Sequence, residues 1–164
     1  MLEDYQIVKP TKGDIPELLD LWEEQYSYHQ EIDPVFYVKF TEDLKNRLKI
    51  YLTKIIEDDK GGLLVARERE SSSTILGFIT FGKEHDEYFD TLITDFGVLK
   101  EILVTEKARS RGIGRKLIKE AESVFKDSGL ENIMIQCSAF NPRTLRIYEE
   151  AGYTTRQNLL YKKI

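Results

Sequence analysis

Glu101-Ile102-Leu103-Val104-Thr105-Glu106-Lys107-Ala108-Arg109-Ser110-Arg111-Gly112-Ile113-Gly114-Arg115-Lys116-Leu117 reads as a strand, a short turn, a glycine loop and the opening of a helix. The strand character begins at Val98 and ends at Thr105. From Gly112 to Ser128, Ile113, Leu117, Ile118, Ala121, Val124 and Phe125 fall on one side of a helix that Gly129 stops. Such a junction gathers unpaired backbone N–H groups at the positive end of a helix dipole, a ready site for an anion. Gly112 and Gly114 leave those N–H groups uncovered, and Arg109, Arg111 and Arg115 bring positive charge to the same turn. Taken alone, two glycines also make a plain tight turn with solvated arginines.

Two phosphate-binding motifs fail on spacing. After Gly112-Ile113-Gly114, the third glycine of a dinucleotide fingerprint would fall on Leu117. A Walker loop needs Gly-Lys-Ser/Thr, whereas Arg115-Lys116-Leu117 follows the last glycine. What remains is R-x-x-G-x-G at Arg109 to Gly114. Downstream, Asn141-Pro142-Arg143-Thr144-Leu145-Arg146-Ile147-Tyr148-Glu149-Glu150-Ala151-Gly152-Tyr153 opens a short helix with Asn141 as cap and Pro142 in the first turn.

With these two segments in place, the chain resembles the GNAT superfamily of acyl-CoA-dependent N-acyltransferases. The likeness is sharpest from Glu101 to Tyr153 and extends to the element order of the whole chain. It implies that the loop, with Arg109, Arg111, Gly112, Ile113, Gly114 and Arg115, holds the pyrophosphate of acetyl-CoA. It also implies that Asn141 meets the pantetheine arm and that Tyr148 lies near the thioester sulfur as general acid. A phenol, with a pKa of about 10, is a sensible proton donor to a departing thiolate whose conjugate acid has a pKa of about 8.5. By spacing alone Tyr148 is a core aromatic near Leu145 and Ala151. In the family the strand before the loop is bulged, and a freed N–H near Leu103 or Val104 faces the acetyl carbonyl as an oxyanion donor. Glu101, on the same strand, is the expected base toward the acceptor amine, directly or through water; it also fits a solvated strand residue.

Outward from this region, Tyr5–Lys9 reads as a first strand. Asp14-Ile15-Pro16-Glu17 resembles a capped helix start, with Ile15, Leu18, Leu19, Trp22 and Tyr26 at helical spacing. A second helix from Thr41 carries Leu44, Leu48, Tyr51, Leu52 and Ile55 and ends before Gly61-Gly62. Leu63–Ala66 and Ile75–Phe81 are strands joined through Ser71-Ser72-Ser73, and Lys83 to Asp95 reads as a loop. Asn132–Ser138 and Leu159–Tyr161 complete the strands. The expected fold is α/β: one domain over 1–164 with a mixed central sheet flanked by helices.

Composition is consistent with this. The 164 residues are 41% hydrophobic and 32% charged, which speaks against disordered and membrane classes. A net charge of −5 disfavours nucleic acid as a partner and leans toward a small cationic amine as acceptor. Acidic and aromatic groups that would suit such an amine are Glu23, Glu24, Tyr26, Tyr28, His29, Glu31 and Asp33, or His85, Asp86, Glu87, Tyr88 and Asp90. The two histidines have no metal-ligand spacing and the single cysteine, Cys137, reads as packing, so no metal is expected. No secretory signal is read at Met1–Tyr5, so a cytoplasmic location is expected. The expected activity is transfer of acetyl from acetyl-CoA to a primary amine by direct attack in a ternary complex. The acceptor is a small molecule, or alternatively a protein N-terminus or lysine. A non-catalytic acyl-CoA-binding regulatory module is a further alternative, and a homodimer is compatible with either.

Overall fold

The computed structural model describes residues 4–58, 60, 62–70, 74–87 and 90–164. The expected Ser71–Ser73 link, Gly61 and Tyr88 lie outside these. Strands β1 (Tyr5–Val8), β2 (Leu63–Glu68), β3 (Ile75–His85) and β4 (Asp95–Val104) form an antiparallel meander, and β5 (Ile133–Ile135) adds to β4 in parallel. The parallel step is the one that needs a crossover, and helix α3 (Ile113–Asp127) supplies it. Helices α1 (Ile15–Ile32) and α2 (Glu42–Glu57) precede β2, and α4 (Pro142–Glu150) follows β5.

Strand alternation divides the apolar residues between two cores. On one face Ile79, Phe81 and Leu99 pack with Ile113, Leu117, Ala121 and Phe125 of α3 and with Tyr148 of α4. On the other, Val65, Ile75 and Phe78 pack with Leu18, Trp22, Leu48 and Leu52 of α1 and α2. The seat of α3 is set at Gly97, where an added Cβ would come within 2.5 Å of the Phe125 ring.

Helix starts follow local rules with one exchange of partners. Thr41 caps α2 by accepting from Leu44 N–H, and Asn141 caps α4 by accepting from Thr144 N–H, each at 3.3 Å. Asp14 makes no side-chain cap on α1. Its carboxylate instead accepts from Thr11 N–H at 2.6 Å and pairs with Arg67 at 2.7 Å. Glu17, the last residue of the same expected capped start, accepts from Ile75 N–H at 2.8 Å and so ties α1 to β3.

Three strand expectations are corrected. Lys83–His85 and Asp95 belong to a long β3–β4 hairpin, so the loop between the strands is shorter than Lys83–Asp95; cross-strand pairing carries these polar residues outward from the core. The strand expected over Asn132–Ser138 is confined to Ile133–Ile135 because β4 stays beside it only from Gly97 to Leu99. Leu159–Tyr161 forms no strand, and Leu159 and Leu160 are 84% and 91% exposed. A strand needs a neighbouring edge to pair with, and among the described residues no strand pairs with this run.

Candidate active site

The site begins at an irregularity in β4. Thr80 of β3 faces Glu101, but the next residue, Phe81, faces Leu99, so Lys100 is an extra residue bulged from the ladder. The parallel pairing with β5 ends at Leu99, beside the bulge. From there β4 continues along β3 while its other edge is open.

Hydrogen bonds give the register of that edge. Glu101 N–H donates to Thr80 Oγ1 at 3.1 Å and Thr105 N–H to Leu76 O at 2.9 Å, both toward β3. Backbone groups alternate along a strand, so Leu103 also turns to β3, whereas Ile102 and Val104 turn to the open edge. Arg109 Nε donates to Val104 O at 3.4 Å, in keeping with this. Of the two expected N–H groups, the register therefore favours Val104 over Leu103.

The glycine loop follows directly. Ser110 and Gly112 both adopt left-handed backbone, with φ of 66° and 77°. The first bond of α3 runs from Lys116 N–H to Gly112 O at 3.1 Å, and Gly112 supplies no side-chain cap. Among the described residues, no amide from Ser110 to Arg115 donates a hydrogen bond. An added Cβ at Gly112 would meet nothing within 4 Å, and at Gly114 only Val104 Cγ2 at 3.6 Å. The space before these amides is open, as an approaching anion requires.

The three arginines have structural duties. Arg111 pairs with Asp4 at 2.8 Å and with Glu68 at 3.6 Å, tying the loop to the β1 end of the sheet. Arg115 pairs with Glu150 of α4, and Arg109 holds Val104 O as above. These pairings leave the backbone amides as the uncommitted donors of the loop among the described residues.

Asn141 and Tyr148 lie at the start and near the end of α4, the helix that follows β5. Asn141 is buried, its Oδ1 committed to the α4 cap, and its carbonyl lies 3.8 Å from Cys137 Sγ. Tyr148 is 5% exposed and sits edge-on to Tyr153 at 6.1 Å. Burial pushes the Tyr148 hydroxyl well above the usual phenol range, with Cys137 and Glu101 adding to the shift. Burial likewise raises the Cys137 thiol, which suits packing rather than nucleophilic attack.

Glu101 faces the α1–α2 side of the sheet, in a cleft of about 350 Å³ lined by Trp22, Tyr26, Arg47, Tyr51, Thr80 and Lys100 among others. Burial pushes its carboxyl up to about 7, while a hydrogen bond from Gln25 pulls the other way. Burial also raises the phenols of Tyr26, Tyr37, Tyr51 and Tyr148, and the Glu101 charge contributes in each case. One carboxyl is therefore within electrostatic reach of phenols from α1, the α1–α2 connection, α2 and α4.

Of the described acidic and aromatic groups expected around an acceptor, Tyr26 alone lines this cleft. Glu23, Glu24, Tyr28 and Glu31 are exposed; His29 stacks on Tyr37 at 4.7 Å. His85 pairs with Asp95 at 2.9 Å and with Glu87 at 3.4 Å at the far end of the hairpin, and Asp86 and Asp90 are exposed there. Five residues of strand separate His85 from Thr80, about 17 Å. Gln25, Tyr37 and Thr80 escaped the sequence reading. Gln25 alone left a trace, as a polar residue on the apolar stripe of Leu18, Leu21 and Trp22.

Among the described residues, no group of three or more His, Cys, Asp or Glu is arranged to hold a metal ion, and no helix is long and apolar enough to cross a membrane. No curated protein matches the chain in sequence. Among solved structures, a tetramutant of the BH1408 protein from Bacillus halodurans has a TM-score of 0.82 at 18% identity, covering 97% of this chain and 99% of that one. A proposed acetyl transferase from Pyrococcus furiosus has a TM-score of 0.70 at 26% identity, covering 98% and 99%. The aminoglycoside N-acetyltransferase AAC(6')-Iy, in complex with CoA, has a TM-score of 0.70 at 15% identity, covering 98% and 94%. Residues 15–153 match the family described as acetyltransferase (GNAT). That match runs through every element framing the cleft and the glycine loop, and the chain accordingly belongs to the GNAT family of acetyltransferases.

Proposed function

We propose that this protein transfers an acetyl group from acetyl-CoA to the primary amine of a small molecule, by direct attack in a ternary complex. The observation that carries the reading is the run of undonated amides from Ser110 to Arg115 at the start of α3, opening beside the free edge of β4. These amides suit a pyrophosphate, and the open Cβ positions of Gly112 and Gly114 leave room for it. The Asn141 carboxamide nitrogen, which has no protein partner among the described residues, suits the polar pantetheine arm.

Glu101 takes the proton of the acceptor ammonium, directly or through water, and its pKa near 7 suits a base working near neutral pH. The amine nitrogen then attacks the thioester carbon. The N–C bond forms, the C–S bond breaks, and the sulfur leaves with the electron pair. Val104 N–H stabilises the oxygen charge that builds during attack. Tyr148 donates a hydrogen bond to the departing sulfur. Since burial holds its phenol firmly protonated, it acts as a donor that retains most of its proton rather than as a source of phenolate. As the N–C bond forms the nitrogen becomes cationic, and its second proton passes to the departing sulfur directly or through water. The outcome is an N-acetyl amine and the free thiol of the coenzyme, with the first proton left on Glu101 to return to solvent.

The small-molecule acceptor is supported by the modest volume of the cleft, about 350 Å³, and by the likeness to a protein named for aminoglycoside acetylation. A solved likeness named as a transcriptional regulator shares the fold at 19% identity, so turnover itself needs testing. Acetyl-CoA should raise the melting temperature, and thiol should be released only when an amine is supplied. Coenzyme binding without amine-dependent thiol release across a broad panel would favour a non-catalytic module. Loss of both would sink the reading.

A further inference from the structure

We propose that the cleft takes an amine that also bears an oxyanion, such as a carboxylate or a phosphate, rather than a polycation. This rests on the acetyl-transfer reading above and specifies its acceptor. Among the described lining residues Glu101 is the one carboxylate, and Arg47 and Lys100 line the same cleft. Their acidic partners, Asp43 at 3.1 Å and Glu84 at 3.2 Å, are not part of the lining. Both ion pairs are solvent-exposed, the Arg47 side chain at 70% and that of Lys100 at 44%. Exposed pairs hold weakly, so either cation is free to exchange its partner for a ligand oxyanion.

The walls between these charges are aromatic and braced. Trp22 stacks on Phe78 at 4.5 Å and meets Tyr51 edge-on at 6.3 Å, while Tyr26 is held against Phe40 at 5.8 Å. The cleft therefore holds one largely buried carboxyl and two solvent-exposed cations among aromatic side chains. An ammonium is matched once, at Glu101. A second or third ammonium on the same ligand would meet Arg47 and Lys100 with no carboxylate of the lining left to balance it. The chain's net charge of −5 lies elsewhere on the surface and does not describe this cleft.

Thiol release with acetyl-CoA is measured for L-phenylalanine, its carboxamide, O-phosphoethanolamine and spermidine, together with the melting temperature. The expected result is a kcat/KM for at least one anionic amine about tenfold above the carboxamide and spermidine, as for a charge-assisted contact. The two anionic probes separate carboxylate from phosphate. The double variant Arg47→Gln, Lys100→Gln should collapse the preference through KM, and both side chains are exposed enough for the variant to fold. Stabilisation by acetyl-CoA with thiol release only from the carboxamide or spermidine, or from no anionic amine, overturns the substrate class alone. So does a preference that survives in the double variant. Acetyl-CoA that neither stabilises the protein nor yields thiol overturns the acetyl-transfer reading itself.

Discussion

Gln25 Nε2 donates to Glu101 Oε2 at 2.5 Å, joining α1 to β4 across 76 residues of chain. Gln25 is 5% exposed, and its Oε1 is buried with no hydrogen-bond partner among the described residues. The amide thus serves the ionised carboxylate through its nitrogen and keeps an acceptor idle. When Glu101 is protonated, a turned amide would place that oxygen to receive the carboxyl proton. Either charge state of Glu101 then has a partner, as a group that gains and loses a proton in each cycle requires.

The acid limb of the kcat/KM profile should follow Glu101, rising through about pH 7 as the carboxyl ionises. Gln25→Leu removes the hydrogen bond that favours the ionised form and should move this limb to higher pH. Global stability should change by less than about 1 kcal/mol, since one hydrogen bond is lost together with one unsatisfied oxygen. A limb that stays in place in the Gln25→Leu variant would show that Gln25 is only packing.

The same carboxyl should make stability depend on pH. Its folded pKa of about 7 lies above the ordinary value of 4.5, so between those values the folded protein holds a proton that the unfolded chain has released. This contribution is full below about pH 4.5 and is lost as pH rises through about 7, a change on the order of 3 kcal/mol. Glu101→Gln should flatten that part of a denaturant-derived stability curve, and an unchanged slope would count against the buried site.

Gly114 separates folding from coenzyme binding. A methyl group there makes only an ordinary contact with Val104, so Gly114→Ala should hold or raise stability by about 0.5–1 kcal/mol, as expected in a helix. Gly114→Glu places bulk and negative charge before the loop amides and should weaken acetyl-CoA binding at least about tenfold by calorimetry. Equal affinity in the Glu variant would mean that the phosphates bind elsewhere.

Tyr148→Phe tests the sulfur donor. Loss of one donor near developing charge should lower kcat by about 10²-fold, with the Kd for acetyl-CoA little changed. A parallel fall in both would assign Tyr148 to packing, the role its place in the α3 core also allows.

How far the site was legible depended on the range of the interactions behind it. The α3 start, the α4 cap at Asn141 and the turns at Gly129 and Gly152 follow from bonds between near neighbours, and the structure has them where local chemistry puts them. The ion pairs of the arginines were not legible because their partners are remote: Asp4 and Glu68 for Arg111, Glu150 for Arg115. The apolar run at Leu159–Tyr161 misled because a strand needs a neighbouring edge, which no local pattern supplies.

The segment from Glu101 to Gly114 therefore determined, by itself, a strand entering a helix through a loop with uncovered amides. Backbone geometry and missing side chains are local properties, so a linear reading captures them. Only the tertiary structure decided that Lys100 bulges, that β5 leaves β4 after Leu99, and that Gln25 reaches Glu101. Those outcomes depend on strand register and on burial, and the desolvation that brings Glu101 to a pKa near 7 exists only once α1 and α2 close over the sheet.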